Sequence, residues 1–191
     1  MPTPPTPPPD RQTLVSAAFG TWFNSKYAVL VSDELLQKWQ LIDTCCQIGI
    51  CVTAAGSCIA GWQLWAYPGL KILWAVISGC ISLAALAHKS FDVAGEVRKW
   101  SDARRVYATL TNQLETLKYE VDTAFDKDPD RYQTRYLDIR ESYQEQDKTT
   151  PGKDLLLTEP LQHKIKKQVF EDARKTNFEK ELTAYKSTLP H

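Results

Sequence analysis

The chain has 191 residues, of which 43% are hydrophobic, and its 23 Lys and Arg residues balance 23 Asp and Glu residues. This composition excludes collagen-like, disulfide-stapled and strongly polyionic proteins. A net charge of zero also removes the usual electrostatic argument for direct nucleic-acid binding. The charges are unevenly distributed, however, because residues 41–87 carry only Asp43 and Lys71.

The first 40 residues are predicted to form a tail and then helices. Residues 1–10 contain six prolines, which predicts a disordered Pro-rich tail. Residues 11–40 are predicted to form amphipathic and juxtamembrane helices, with apolar residues at helical spacing between 14 and 23. This face either lies in the inner membrane interface or packs on a soluble domain. Ser32 resembles an N-cap, and its helix is expected to continue through Lys38.

Residues 41–91 form an apolar band that predicts a transmembrane hairpin. A bilayer core about 30 Å thick needs about 20 apolar residues in a helix. The two predicted spans cover about residues 44–66 and 70–88, and a turn at Pro68 and Gly69 joins them. The alternative is a helical hairpin buried in a globular core.

The flanks of the band predict its orientation. Basic residues are more frequent before and after the band than at its tip, which places both termini in the cytoplasm of a multi-pass inner (plasma) membrane protein. Aromatic residues near the tip are expected to form a membrane-interface belt. The belt residues are Trp62, Trp65, Tyr67 and Trp74.

Small and polar residues within the band are candidates for assembly. Small residues four apart allow helices to approach closely, either within one hairpin or between protomers. The candidates for helix packing or pore assembly are Gly49, Thr53, Gly56, Ser57, Ala60, Gly61, Gly79 and Ser82. The candidates for a pore lining are Asp43, Gln47 and Gln63, and their alternative role is solvation at the interface.

The five cysteines are all within the apolar band, at positions 45, 46, 51, 58 and 80. They show neither metal-ligand spacing nor the context of a disulfide framework, so we interpret them as structural thiols. Palmitoylation of Cys45 or Cys46 is the alternative.

Residues 92–188 predict a cytoplasmic helical, coiled-coil-like domain, so the predicted fold class is all-α. A heptad-like seam either packs on later helices of the same chain or mediates self-association. The seam residues are Trp100, Tyr107, Leu110, Leu114, Leu117 and Val121. Asp128 and Pro129 predict the start of the next helix, and a last helix is expected from about 158 to 187.

The chain has no motif for catalysis, for a metal or for a cofactor. A Gly-rich phosphate loop, a nucleophile elbow, a CxxC pair and an HExxH helix are all missing from the sequence. We therefore expect a protein that is not an enzyme.

The arrangement resembles the SLATT family, whose members are two-transmembrane effectors associated with SMODS nucleotide cyclases and SLOG sensors. The resemblance covers roughly residues 40–185. It consists of the tight hairpin, a following helix with RRVYATL at 104–110, a helix with DIRESY at 138–143, a proline-containing break and a terminal helix.

The resemblance implies a membrane effector of a bacterial antiphage conflict system. In such a system a nucleotide cyclase, a nucleotide sensor or a retron reverse transcriptase acts as the trigger. The effector then forms a homo-oligomer in the lipid bilayer and makes a pore or disrupts the inner membrane. The alternative function is a non-conducting, membrane-anchored scaffold or regulator that recruits a soluble partner through its helical domain.

Overall fold

The computed structural model describes residues 10–59, 72, 75–76, 79–80, 82–83, 86, 92–150, 154–176 and 178–188. All regular elements in these ranges are helices, which confirms the all-α prediction. They are α1 (Arg11–Ile59), α2 (Val93–Ala124), a short 3-10 helix (Phe125–Lys127), α3 (Pro129–Thr149), α4 (Glu159–Lys175) and α5 (Glu179–Thr188).

The chain divides into two compact units. The bundle unit comprises Met1–Glu34 and Ser101–His191, and the middle unit comprises Leu35–Trp100. Helix α1 begins in the bundle unit and ends in the middle unit, whereas α2 begins in the middle unit and ends in the bundle unit.

The first part of α1 is a core helix of the bundle unit. Its apolar residues recur at helical spacing and therefore share one face of the helix. That face is buried and consists of Leu14, Val15, Ala18, Phe19 and Trp22. The segment thus packs on the other helices of the bundle unit, which was one of the two arrangements that its pattern allowed.

Helices α1 and α2 run antiparallel in the bundle unit. Contacts between their side chains join the start of one helix to the end of the other. The contacting pairs are Arg11 with Asp122, Trp22 with Glu115, and Asp33 with Arg104.

The heptad-like seam of α2 is buried within the chain. Tyr107, Leu110, Leu114, Leu117 and Val121 are each at most 4% exposed. Trp100, the seam residue in the middle unit, is also buried. The seam therefore has no exposed surface for self-association, and intrachain packing is the alternative that this fold supports.

Helix α3 begins as the sequence predicts. The Asp128 carboxylate accepts a hydrogen bond from the Arg131 backbone N–H at 3.2 Å, and Pro129 occupies the first turn. Tyr136 then fixes α3 to α1, because its Oη donates to the Ala17 carbonyl at 3.1 Å.

The single last helix expected from about 158 to 187 is instead two helices. Thr176 has an extended backbone that ends α4, and α5 begins at Glu179. The interruption has a packing reason, since the intervening Phe178 inserts its ring against Trp22 and Phe19. The centroid distances are 5.0 Å and 5.6 Å. The break therefore places an aromatic side chain in the core.

The predicted multi-pass inner-membrane localisation, with both termini in the cytoplasm, is wrong. In the ranges that the structure describes, none of the helices combines the length and the apolar character needed for a bilayer crossing.

Several predicted features lie outside the described residues. These are the turn at Pro68 and Gly69, the aromatic residues Trp62, Trp65, Tyr67 and Trp74, the polar residue Gln63, and the small residues Ala60 and Gly61. The side chains of Thr53, Gly56 and Ser57 are likewise outside the description, although α1 continues through these positions.

Candidate functional site

Part of α1 in the middle unit exposes an apolar seam. The exposed residues Leu41, Cys45, Ile48 and Val52 follow one another at steps of four, three and four. Residues at these steps lie along one face of a helix and repeat with the period of a coiled coil. We call these four residues the α1 seam.

A second set of exposed residues in the middle unit has the same spacing. Ile72, Val76, Gly79, Leu83 and Leu86 are helical, exposed and separated by steps of four, three, four and three. No charged residue occurs between 72 and 86. The described residues of the middle unit therefore include two sets of helical positions with exposed apolar side chains.

These exposed side chains set the middle unit apart from the bundle unit. Eight of the eleven large apolar side chains that are exposed in the described ranges belong to the middle unit. Isolated exposed apolar residues are normal, but a contiguous apolar surface marks an interface. The middle unit is therefore the candidate interaction site.

Two of the predicted polar residues are next to the α1 seam. The Gln47 Nε2 donates to the Asp43 carboxylate at 2.8 Å, one helical turn away. This bond partly satisfies both polar groups within α1. Asp43 and Gln47 are therefore in contact on one face of α1.

Three of the predicted small residues, Gly49, Gly79 and Ser82, are helical and have a described exposure. Gly49 borders the α1 seam, and a Cβ atom added there would meet no atom within 4 Å beyond its own helix backbone. Gly79 belongs to the second exposed stretch, and Ser82 is exposed beside it. The two glycines face space that a second helix is able to approach.

The bundle unit contains a buried cation that the sequence pattern did not reveal. Lys118 is 6% exposed, and its Nζ is 2.6 Å from the Asp122 carboxylate and 3.3 Å from Glu181 Oε1. Arg11 contacts the other oxygen of Asp122 at 2.9 Å. The Lys118 ammonium also lies 5.9 Å from the centre of the Phe178 ring, which adds a cation–π contact. We call Arg11, Lys118, Asp122 and Glu181 the Lys118 cluster.

A groove of about 1200 Å³ lies over the Lys118 cluster. Side chains from α1, α2 and α5 line it, including the exposed Tyr119 and Glu179. Within the described ranges, the second oxygen of Glu181, Oε2, is buried and has no hydrogen-bond partner. The groove therefore combines a buried ion network with an open, mixed-charge rim.

Through Asp122, the Lys118 cluster is expected to make the free energy of unfolding depend on pH in the acid range. Partial burial by itself raises the pKa of this carboxyl, but hydrogen bonds and charges from Lys118 and Arg11 outweigh it and lower the pKa. A lowered pKa contributes stability above the unfolded value of about 3.9, and this contribution is lost as the pH falls through the folded value. The stability difference between the natural chain and Asp122→Asn is therefore expected to shrink below about pH 4.

Chemical denaturation between pH 7 and pH 2.5 measures this dependence. Asp126→Asn is the matched control, because Asp126 is an exposed aspartate outside the Lys118 cluster. A difference between the natural chain and Asp122→Asn that stays constant with pH would refute the role of the cluster.

The described residues offer no metal site, since none of their His, Cys, Asp and Glu side chains form a group of three or more suited to holding an ion. Comparison with protein-family models, with curated proteins and with solved structures finds no match for this chain.

Proposed function

We propose that the protein is an effector that acts by self-association of its middle unit, under control of its bundle unit. The observation that carries this proposal is the exposed α1 seam. Covering its apolar side chains with another apolar surface removes them from water, which lowers the free energy. The proposal includes an antiparallel helical hairpin in residues 41–91. The α1 seam and the second exposed set, from Ile72 to Leu86, then contact the same surfaces of other copies.

A second copy of the chain is the occupant that best fits the α1 seam. Residues 44–66 contain no charge, so two copies bring no like charges together in this stretch. The seam also offers no charge that would select an oppositely charged partner. Heptad-like spacing further favours another helix of the same period.

The resemblance to the SLATT family supplies the biological setting of the proposal. In that setting a nucleotide cyclase, a nucleotide sensor or a retron reverse transcriptase triggers the chain during phage infection. The bundle unit receives the trigger, and assembly of the middle unit is the output. No catalytic step by this chain is required.

Replacing Ile48 with lysine tests the proposal. Ile48 is 58% exposed, so the bundle core does not depend on it. In an assembly, however, the ammonium group would be buried without a partner at a cost of several kcal/mol. We therefore expect Ile48→Lys to shift the protein from oligomer to monomer in size-exclusion chromatography with light scattering.

Leu137→Lys is the matched control, because Leu137 is an exposed apolar residue of the bundle unit. This variant is expected to keep the mass of the natural chain. Growth of bacteria that express each variant with its trigger provides the functional measurement, and only Ile48→Lys is expected to relieve growth arrest. Arrest by a variant that is monomeric would exclude assembly as the output.

The groove over the Lys118 cluster favours a second candidate function, that of a scaffold or regulator that recruits a soluble partner. Its rim carries both charge signs, which suits polar recognition of a protein surface. For this function Glu179→Lys at the rim is expected to weaken the response to the trigger, whereas Ile48→Lys is expected to have no effect on it.

A further inference from the structure

We infer that residues 24–34 of α1 are the part of this helix in the bundle unit that opens first, and that this opening permits assembly of the middle unit. The segment lies between two fully buried residues, Trp22 and Leu35. The link to assembly rests on the proposed function, and the segment is where the bundle unit exerts its control.

Apolar packing along the bundle part of α1 is weakest in this segment. The five apolar residues of the core face between Leu14 and Trp22 are all buried. Between 24 and 34 the buried side chains are Ser25, Val31 and Ser32, so one of the three is apolar. Local opening requires the least free energy where few apolar side chains are buried. The segment is therefore the part of this helix that opens most readily.

Two buried hydroxyl groups destabilise the closed state of the segment. Ser25 is 0% and Ser32 is 1% exposed, and neither Oγ atom has a hydrogen-bond partner among the residues that the structure describes. By contrast, the buried Thr111 Oγ1 donates to the Tyr107 carbonyl one turn back at 2.8 Å. A hydroxyl that is buried without a partner has lost its bonds to water. Both serines regain these bonds when the segment opens.

The ion pairs that join the segment to other helices oppose opening only slightly. These pairs are Lys26 with Asp172, Asp33 with Arg104, and Glu34 with Lys164. Each side chain in them is at least 26% exposed, so water already solvates both charges in part. Exposed ion pairs contribute little to stability, because water replaces each partner when the pair separates. The segment therefore depends mainly on Val31 and on half-buried side chains for its attachment.

Hydrogen exchange of the 191-residue chain, followed by mass spectrometry, tests whether the segment opens. We expect the amides of residues 24–34 to exchange faster than those of residues 14–22. Ser25→Ala and Ser32→Ala each remove a hydroxyl that has no partner in the closed state, so each is expected to slow exchange in the segment about tenfold. Ser16→Ala is the matched control, because Ser16 is an exposed serine of the same helix. It gains the same helix propensity and is expected to change exchange in the segment by about twofold or less.

Two results would overturn the opening of this segment. One is exchange in residues 24–34 that is as slow as exchange in residues 14–22, and the other is exchange that neither serine variant slows. Val31→Ala is a variant with the opposite effect, since the loss of its apolar contacts is expected to speed exchange in the segment about tenfold. Unchanged exchange in this variant would also count against the opening.

Sedimentation equilibrium of the same variants separates the opening from the proposed function. The chain that carries both Ser25→Ala and Ser32→Ala is expected to assemble only at concentrations about tenfold higher, or more, because fewer chains are open at any moment. Slower exchange with unchanged assembly overturns the link between the two and leaves self-association intact. A natural chain that is monomeric throughout overturns the proposed function and the link together, whereas the exchange rates still decide whether the segment opens.

Discussion

Replacing Trp22 with alanine is expected to lower the free energy of unfolding by about 3–5 kcal/mol, the range for large aromatic residues in protein cores. Trp22 is 0% exposed and contacts the rings of Phe19 and Phe178. It also joins α1 to α2, because its Nε1 donates to the Glu115 carboxylate at 2.9 Å. The alanine variant would lose these ring contacts and leave a cavity where α1, α2 and the α4–α5 break meet.

Two further variants separate packing from hydrogen bonding at this position. Trp22→Phe keeps a ring against Phe178 but removes the donor to Glu115, so we expect a loss of about 1–3 kcal/mol. Tyr119→Ala is the exposed aromatic control and is expected to change stability by about 0.5 kcal/mol or less. Urea denaturation monitored by circular dichroism gives all three values. A loss below about 1 kcal/mol for Trp22→Ala would show that this residue contributes little to the stability of the core.

Replacing Lys118 with methionine is expected to lower the free energy of unfolding by about 3–5 kcal/mol, because it removes one partner of a buried ion network. The carboxylate of Glu181 would then lose its contact with the ammonium in a site where its side chain is 16% exposed. Asp122 would keep its contact with Arg11. The expected loss therefore comes mainly from Glu181.

Neutralising the partner tests this explanation. We expect the double variant Lys118→Met with Glu181→Gln to be more stable than Lys118→Met alone, because it no longer buries an unpaired charge. Lys164→Met is the control, since Lys164 pairs with Glu34 at 2.8 Å while its side chain is 66% exposed. A loss of about 1 kcal/mol or less is expected there. Equal losses for Lys118→Met and Lys164→Met would show that burial adds nothing to the Lys118 cluster.

The apolar periodicity of the bundle unit was sufficient to predict α2, α3 and much of the core. Leu110, Leu114 and Leu117 recur at helical steps in the sequence and are buried in the structure. The start of α3 was also predictable, because Asp128 and Pro129 form a local capping signal that does not depend on distant residues.

The end of α4 could not be predicted in the same way. Helical periodicity continues on both sides of Thr176, whereas the insertion of Phe178 against Trp22 depends on residues more than 150 positions away in the sequence. Lys118 was missed for a related reason. Its neighbour Asp122 is one turn away on α2, but Glu181 belongs to α5 and meets Lys118 only in the folded chain.

The middle unit shows why a lack of charge is an ambiguous signal. Residues 44–59 are uncharged, which is compatible with a bilayer, a protein core or a protein interface. The seam formed by Leu41, Cys45, Ile48 and Val52 has a period that points to a partner helix, but its exposure is known only from the structure. The membrane prediction rested on the length of the apolar band, and length alone does not distinguish these three environments.

Sedimentation equilibrium of the unmodified 191-residue chain in reducing buffer, over a range of micromolar concentrations, tests the central claim most directly. Self-association through the middle unit predicts an average mass that rises with concentration above the 21.7 kDa of one chain. The Ile48→Lys chain is expected to remain at the mass of one chain at every concentration. A natural chain that is monomeric throughout the range would contradict the account.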